Sequence, residues 1–195
     1  MAISLSKGQK ISLKKAGGDG LSKVIMGLGW DVAPAKKSFF GLFTSEAPSV
    51  DLDASCVLFD AGGQMVDAVW FKQLVSKDNS IRHTGDNRTG AGEGDDEQII
   101  VELTKVPRAV KSLVFIVNSY TGQSFDQIQN AYCRLIDARN NKEIARYQLA
   151  SQGSHTAQIM AKVYRHEGEW KMHAIGDNAH GKTIKSLLPN MQAIL

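Results

Sequence analysis

Short runs of β-branched and aromatic residues recur about every ten residues along most of this chain, most of them closed by a turn rich in Gly, Asn or Asp, and that spacing is best accommodated by an antiparallel β-sandwich. The runs fall at Val24–Trp30, Ala54–Phe59, Asp67–Phe71, Ile99–Leu103, Ser112–Val117, Tyr132–Ile136, Ile144–Leu149, Ile159–Tyr164 and Trp170–Ile175. Ser112–Val117 is nearly unbroken in its apolar character, which predicts a strand buried on both faces or at the centre of a sheet. The glycines of Gly27-Leu28-Gly29-Trp30 suit a strand whose backbone lies close against another group. Ile3–Leu5 and Ile11–Leu13 flank a polar Ser6–Lys10 stretch and predict an N-terminal hairpin. Ser124 and Gln127 have capping-box spacing and open a helical turn or two through Asn130. A second helix is expected over Thr183–Leu195, kinked or split at Pro189. Pro34–Pro48 has no clear period and reads as an excursion. The fold class is therefore mainly all-β, an antiparallel sandwich with a few short helices including a C-terminal one, and 195 residues fit a single domain over 1–195.

A chain that is 43% hydrophobic and 22% charged can build an ordinary core and is not expected to be disordered. No stretch reaches the roughly 20 apolar residues of a membrane span, and the opening residues alternate instead of forming a signal-peptide core, so a cytoplasmic location and no transmembrane segment are expected. Cys56 and Cys133 both sit in apolar runs and read as buried free thiols. The net charge of +3 is too small to argue for a nucleic-acid partner.

Charge is instead concentrated locally. Asp86-Asn87-Arg88-Thr89-Gly90-Ala91-Gly92-Glu93-Gly94-Asp95-Asp96-Glu97 sets five carboxylates against one guanidinium. Each close pair of such charges repels by about 1 kcal/mol at 4 Å even in water, so a cation is expected among them. The donors are oxygens, the hard ligands of which calcium takes about six to eight. Neither cysteine is near and His83 is the only nearby imidazole, so zinc or copper is poorly served. The window spans an EF-hand's length, but Arg88, Gly90 and Ala91 stand at its third, fifth and sixth positions and β-like segments flank it, so it is not an EF-hand. Asp51 and Asp53 bracket Leu52 before a strand and face the same side in extended chain, while Asp31 ends another strand. With the acidic loop they form a plausible shared site for two calcium ions. A solvated acidic loop that binds nothing is the plain alternative.

Gly27-Leu28-Gly29-Trp30-Asp31, Asp51-Leu52-Asp53-Ala54-Ser55, and His83-Thr84-Gly85-Asp86-Asn87-Arg88-Thr89-Gly90 running into Gly94-Asp95-Asp96-Glu97 together resemble the TerD family of bacterial tellurium-resistance and stress-response proteins. Arg146-Tyr147, Tyr164-Arg165-His166 and Glu169-Trp170-Lys171 are similar to that family's later strands. The resemblance covers nearly the whole chain. It implies a cytoplasmic, calcium-binding, non-enzymatic β-sandwich with a scaffold or adaptor role among other proteins of a stress-response assembly, at the inner membrane surface in one version. The candidate ligands it implies are Asp31, Asp51, Asp53, Asp86, Asn87, Glu93, Asp95, Asp96 and Glu97. The chain departs from the family in a longer Pro34–Pro48 link and a more polar Gly176–His180 segment.

Two rivals draw on the same residues. Asp51 and Asp53 imitate the Asp-x-Asp motif of magnesium-dependent phosphotransferases, but that chemistry is usually mounted on a parallel α/β sheet. Lys36, Lys37, Phe39, Phe40 and Phe43 offer a basic, aromatic edge for a calcium-dependent membrane-surface adaptor. Histidines 83, 155, 166, 173 and 180 show no pairing with a nucleophile, so no catalytic residue is assigned. An acidic loop is a poor receptor for the tellurite anion, so direct capture of tellurite is not expected.

Overall fold

A computed structural model describes residues 2–18, 21–32, 52–85, 94–148 and 153–195. In chain order its elements are β1 (Ile3–Leu5), β2 (Lys10–Ser12), α1 (Leu13–Gly17), β3 (Lys23–Val32), β4 (Leu52–Phe59), β5 (Met65–Val69), β6 (Ile81–His83), β7 (Glu97–Glu102) and β8 (Ser112–Ser119). A single 3-10 turn at Phe125–Gln127 then leads to β9 (Ile128–Asp137), β10 (Lys142–Gln148), β11 (Ala157–His166), β12 (Glu169–Ala179) and α2 (Ile184–Gln192). The strands form two six-stranded sheets, ordered β1-β10-β9-β3-β7-β6 and β2-β12-β11-β8-β4-β5. All pairings are antiparallel except that of β1 with β10. The expected all-β sandwich is what the chain builds.

Strand alternation sorts the side chains into layers. Met26, Leu28, Ile99, Val101, Cys133 and Leu135 of the first sheet meet Ala54, Cys56, Leu58, Leu113, Phe115 and Val117 of the second in the main core. The other face of the second sheet carries Val57, Phe59, Val114, Ile116 and Ile159, over which α2 lays Leu187 and Met191. Each of those helix side chains contributes about 2 kcal/mol by leaving water. β4 and β8 are covered on both faces, every residue being buried, which is why Ser112–Val117 reads as continuously apolar. Cys56 and Cys133 are free and buried, and burial pushes the Cys133 thiol up to about 12.

Three expectations are corrected. The N-terminal hairpin does not form: the Ser6–Gln9 turn, with Gly8 at φ +82°, carries the chain across the sandwich, so β1 joins β10 and β2 joins β12 of the opposite sheet. The helix opened by Ser124 is only the three-residue 3-10 turn. Ser124 makes no capping bond to the backbone, its hydroxyl donating to Asp126 instead, and Ile128 already belongs to β9. Of the kink or split expected at Pro189, the split is absent, since the last helix runs through it from a capping box: Ser186 N–H donates to Thr183 Oγ1 and Thr183 N–H to Ser186 Oγ, both at 3.2 Å. The Pro34–Pro48 excursion, with Lys36, Lys37, Phe39, Phe40 and Phe43, lies outside the described residues.

Candidate functional site

Four of the candidate acids, Asp31, Asp95, Asp96 and Glu97, lie where β3 ends and β7 begins. Opposite Trp30 the pairing of β3 with β9 slips: Asn130 and Ala131 stand against one residue, with Asn130 at φ +52°. The bulge releases the Trp30 N–H from the ladder, and it donates to Asp96 Oδ2 at 2.8 Å. Asn130 Nδ2 in turn donates to Asp31 Oδ2 at 2.8 Å. Asp31 and Asp96 therefore share the wall of one open cleft of about 710 Å³, together with Tyr132, Arg146 and Gln148. Burial, followed by the charges of Asp31, Glu97 and Asp95, raises the Asp96 carboxyl above its ordinary 3.8, against the lowering effect of the Trp30 N–H.

The neighbours of Asp96 in sequence point elsewhere. Asp95 lies across the outer face of the first sheet, where Arg134 Nε meets its Oδ1 at 2.6 Å, Gln98 Nε2 donates to Oδ2 at 2.9 Å, and the Tyr132 hydroxyl is 3.2 Å away. Arg134 continues to Glu143 at 3.3 Å, Glu143 to Arg146 at 2.9 Å, and the Arg146 guanidinium stacks on Tyr132 at 4.2 Å. Tyr132 also donates to the Gly94 carbonyl at 2.6 Å; burial and then the Asp95 charge push its hydroxyl up to about 12. Asp95 occupies the space a side chain at position 27 would need, so the expected close approach to that strand is real: Gly27 accommodates the carboxylate and Gly29 the Tyr132 ring.

Glu97 turns inward. Its Oε2 accepts the Ala54 N–H at 2.7 Å and lies 3.2 Å from His83 Nε2, both side chains being fully buried. His83 Nδ1 accepts the Gly85 N–H at 3.1 Å, so the ring proton is assigned to the nitrogen facing Glu97. Glu97 thus ties the β7 strand of one sheet to β4 of the other at the foot of the acidic segment. Asp53 sits apart from Asp31, Asp95, Asp96 and Glu97, on the outer face of the second sheet, in a different cleft. Asp51, Asp86, Asn87 and Glu93 lie outside the described residues.

Of the nine acids and amide singled out in the sequence, the structure thus brings Asp31 and Asp96 together, employs Asp95 and Glu97 in contacts within the protein, and places Asp53 elsewhere. Among the described residues no three His, Cys, Asp or Glu side chains converge closely enough to hold a metal ion. The donors at the Asp31–Asp96 cleft are oxygens, and the nearest imidazole, His83, is turned to Glu97, so the chemistry there fits a hard divalent cation and not a soft one. Residues missed in the sequence are Asn130, Tyr132, Arg134 and Arg146. Asn130 left a trace, since Asn is favoured where φ is positive, and Arg146 stood among the motifs that carry the family resemblance, but without a role. Among the described residues no helix is long and apolar enough to cross a membrane.

The TerD domain model matches residues 1–190. Tellurium resistance protein TerZ of Serratia marcescens is 44% identical over 95% of this chain and 94% of its own length. Stress response protein SCP2 of Bacillus subtilis is 41% identical over 96% of this chain and 98% of its own. The sandwich superposes on the crystal structure of a homologue of the telluride resistance protein TerD from Streptomyces coelicolor with a TM-score of 0.70 at 20% identity, covering 89% of this chain and 98% of that one. With the sequence motifs, the two six-stranded sheets and these relatives in agreement, the chain belongs to the TerD domain family.

Proposed function

We propose that this protein is a non-enzymatic, calcium-binding component of a bacterial stress response of the tellurium-resistance type, acting as a scaffold for other proteins. Membership of a family whose relatives are named for tellurium resistance and general stress supports the stress role. The calcium reading is carried by Asp96, a half-buried carboxylate set near three like charges, whose mutual repulsion a bound divalent cation would relieve. Asp31 and Asp96 would hold the ion together with acids of the 86–93 segment. Asp51 and Asp53 are candidates for a second ion. Bound calcium supplies charge neutralisation and a fixed geometry to the acidic pole; the chain's own Asp95–Arg134 and Glu97–His83 contacts hold the β7 end of that pole in place. Asp53 lies on a strand paired antiparallel with both neighbours, not on the parallel α/β frame that usually carries Asp-x-Asp phosphotransfer.

A calorimetric calcium titration of the wild type and Asp96→Asn tests this. The wild type should bind saturably and Asp96→Asn about tenfold more weakly. Calcium at a hundredfold excess over its dissociation constant should stabilise the fold by about 2.7 kcal/mol, and magnesium by less. Identical melting curves in EGTA and in calcium would overturn the proposal. Asp96 carries a second signature. Its folded pKa is raised, so the ionised form penalises the metal-free fold above that pKa, and the penalty disappears as pH falls from there toward 3.8. Asp96→Asn should therefore melt higher than the wild type in EGTA at neutral pH while losing the calcium response.

A further inference from the structure

The outer face of the second sheet carries a cleft that the acidic pole does not explain. It has a volume of about 660 Å³, within the range of small-ligand sites, and lies between β5, the end of β8 and the first turn of α2. Much of its wall is apolar, with Met65 and Val66 at 47% and 46% exposure on the edge strand and Ile184 and Leu188 on the helix, while the buried side chains in its lining are the polar Asp53, Ser55, Asp67 and Asn118. Four lysines, Lys72, Lys77, Lys182 and Lys185, line it.

Several lysines elsewhere sit beside carboxylates: Lys7 with Asp177, Lys105 with Glu102, Lys171 with Glu169. Among the described residues none of the four cleft lysines does. The Lys72 ammonium is held instead by three rings, 5.6, 5.2 and 5.1 Å from the centroids of Trp70, Phe71 and Tyr120, with the Tyr120 hydroxyl at 3.4 Å. Lys182 lies over Gly122 and reaches the Thr121 carbonyl at 3.5 Å. Of the two acids in the wall, Asp53 is buried, and Asp67 accepts from Gln73 Nε2 at 2.9 Å and from the Lys77 N–H at 2.8 Å.

Rings attract a cation without neutralising it, so the ammonium keeps a full charge facing an apolar trough. An ordinary hydrophobic peptide would leave that charge uncompensated, and a quaternary ammonium would have to displace Lys72 from its own cage and meet three further lysines. We propose that this cleft binds an amphiphilic organic anion, its apolar body on Met65, Val66 and Leu188 and its anionic head between Lys72 and Lys182. Asp53, the candidate for a second calcium ion, stands in the wall of this cleft, but the anion proposal does not use it and stands without the calcium site at Asp31 and Asp96.

Decanoate below its micellar concentration is the probe, titrated into the full chain by calorimetry and by amide chemical-shift mapping. It should bind saturably and perturb amides of residues 65–73, 120 and 182–188. Lys72→Glu and Lys182→Glu, both at solvent-facing positions, should each weaken it about tenfold while leaving the spectrum outside the cleft unchanged. Decyl phosphate should also bind and inorganic phosphate alone should not, which separates head-group capture from recognition of the whole molecule. The proposal is overturned if decanol binds as tightly as decanoate, if decyltrimethylammonium binds more tightly, if the shifts fall outside the cleft, or if no saturable binding is seen.

Discussion

Gly27 stands directly opposite Arg134 in the pairing of β3 with β9, and the carboxylate of Asp95 fills the place its side chain would take. Gly27→Ala should push that carboxylate off the guanidinium. Because the Asp95 side chain is wholly buried, losing its partner should cost about 3 kcal/mol, read as a lower denaturant midpoint. Asp95→Asn in the same background should recover part of the loss, since a neutral amide does not need the guanidinium. An added methyl with no effect would show that Asp95 has another way to be satisfied. The acids were legible in the sequence as a crowd, and their hard-oxygen character followed from their identity. Their separate assignments were not legible. Asp95, Asp96 and Glu97 are consecutive and chemically alike, yet one lies on an outer face, one on a cleft wall and one between the sheets. What divides them is the chain's entry into β7, which starts only at Glu97, together with partners from β9, β3 and β4 that are distant in sequence.

At the scale of elements, local chemistry predicted conformations better than it predicted neighbours. The glycine turn after Leu5 is present, but hairpin closure depends on which edge is vacant, and β10 and β12 offer edges on opposite sheets. Ser124 begins a helical turn that Ile128 and its buried neighbours recruit into a ten-residue strand, tertiary pairing outweighing a cap. α2 shows the opposite balance: Pro189 removes one helical N–H, but Leu187 and Met191 are seated on the sheet and Thr183 closes the first turn, so the helix persists. Thr183→Ala should cost about 1 kcal/mol in global stability and speed hydrogen exchange first in α2, leaving β9 and β11 unchanged. Uniform loss of protection throughout the chain would mean that the cap supports more than its own helix.

Over the whole molecule, buried or half-buried carboxylates paired with arginines set the acid limb of stability. Arg139 holds Asp137 below its ordinary 3.8, and Arg146 holds Glu143 below its ordinary 4.5. Their contribution is fully present above those ordinary values and is lost as pH falls through the lowered folded ones. Urea midpoints of the wild type should therefore fall as pH drops below about 3.8, whereas Arg139→Ala should start lower at neutral pH, show a shallower acid limb and approach the wild type in acid; parallel acid limbs would exclude the pair from that role.

The chain's first dozen residues act as a clasp. Three residues latch the outermost row of one sheet, a glycine crosses the gap, and three more latch the outermost row of the other. Because the two latches are strung on one short strap, opening either one slackens its mate, and two rows of unmatched amides would come into view together on β10 and β12. Fusion partners or tags placed ahead of Ile3 therefore pull on both seams of the sandwich at once.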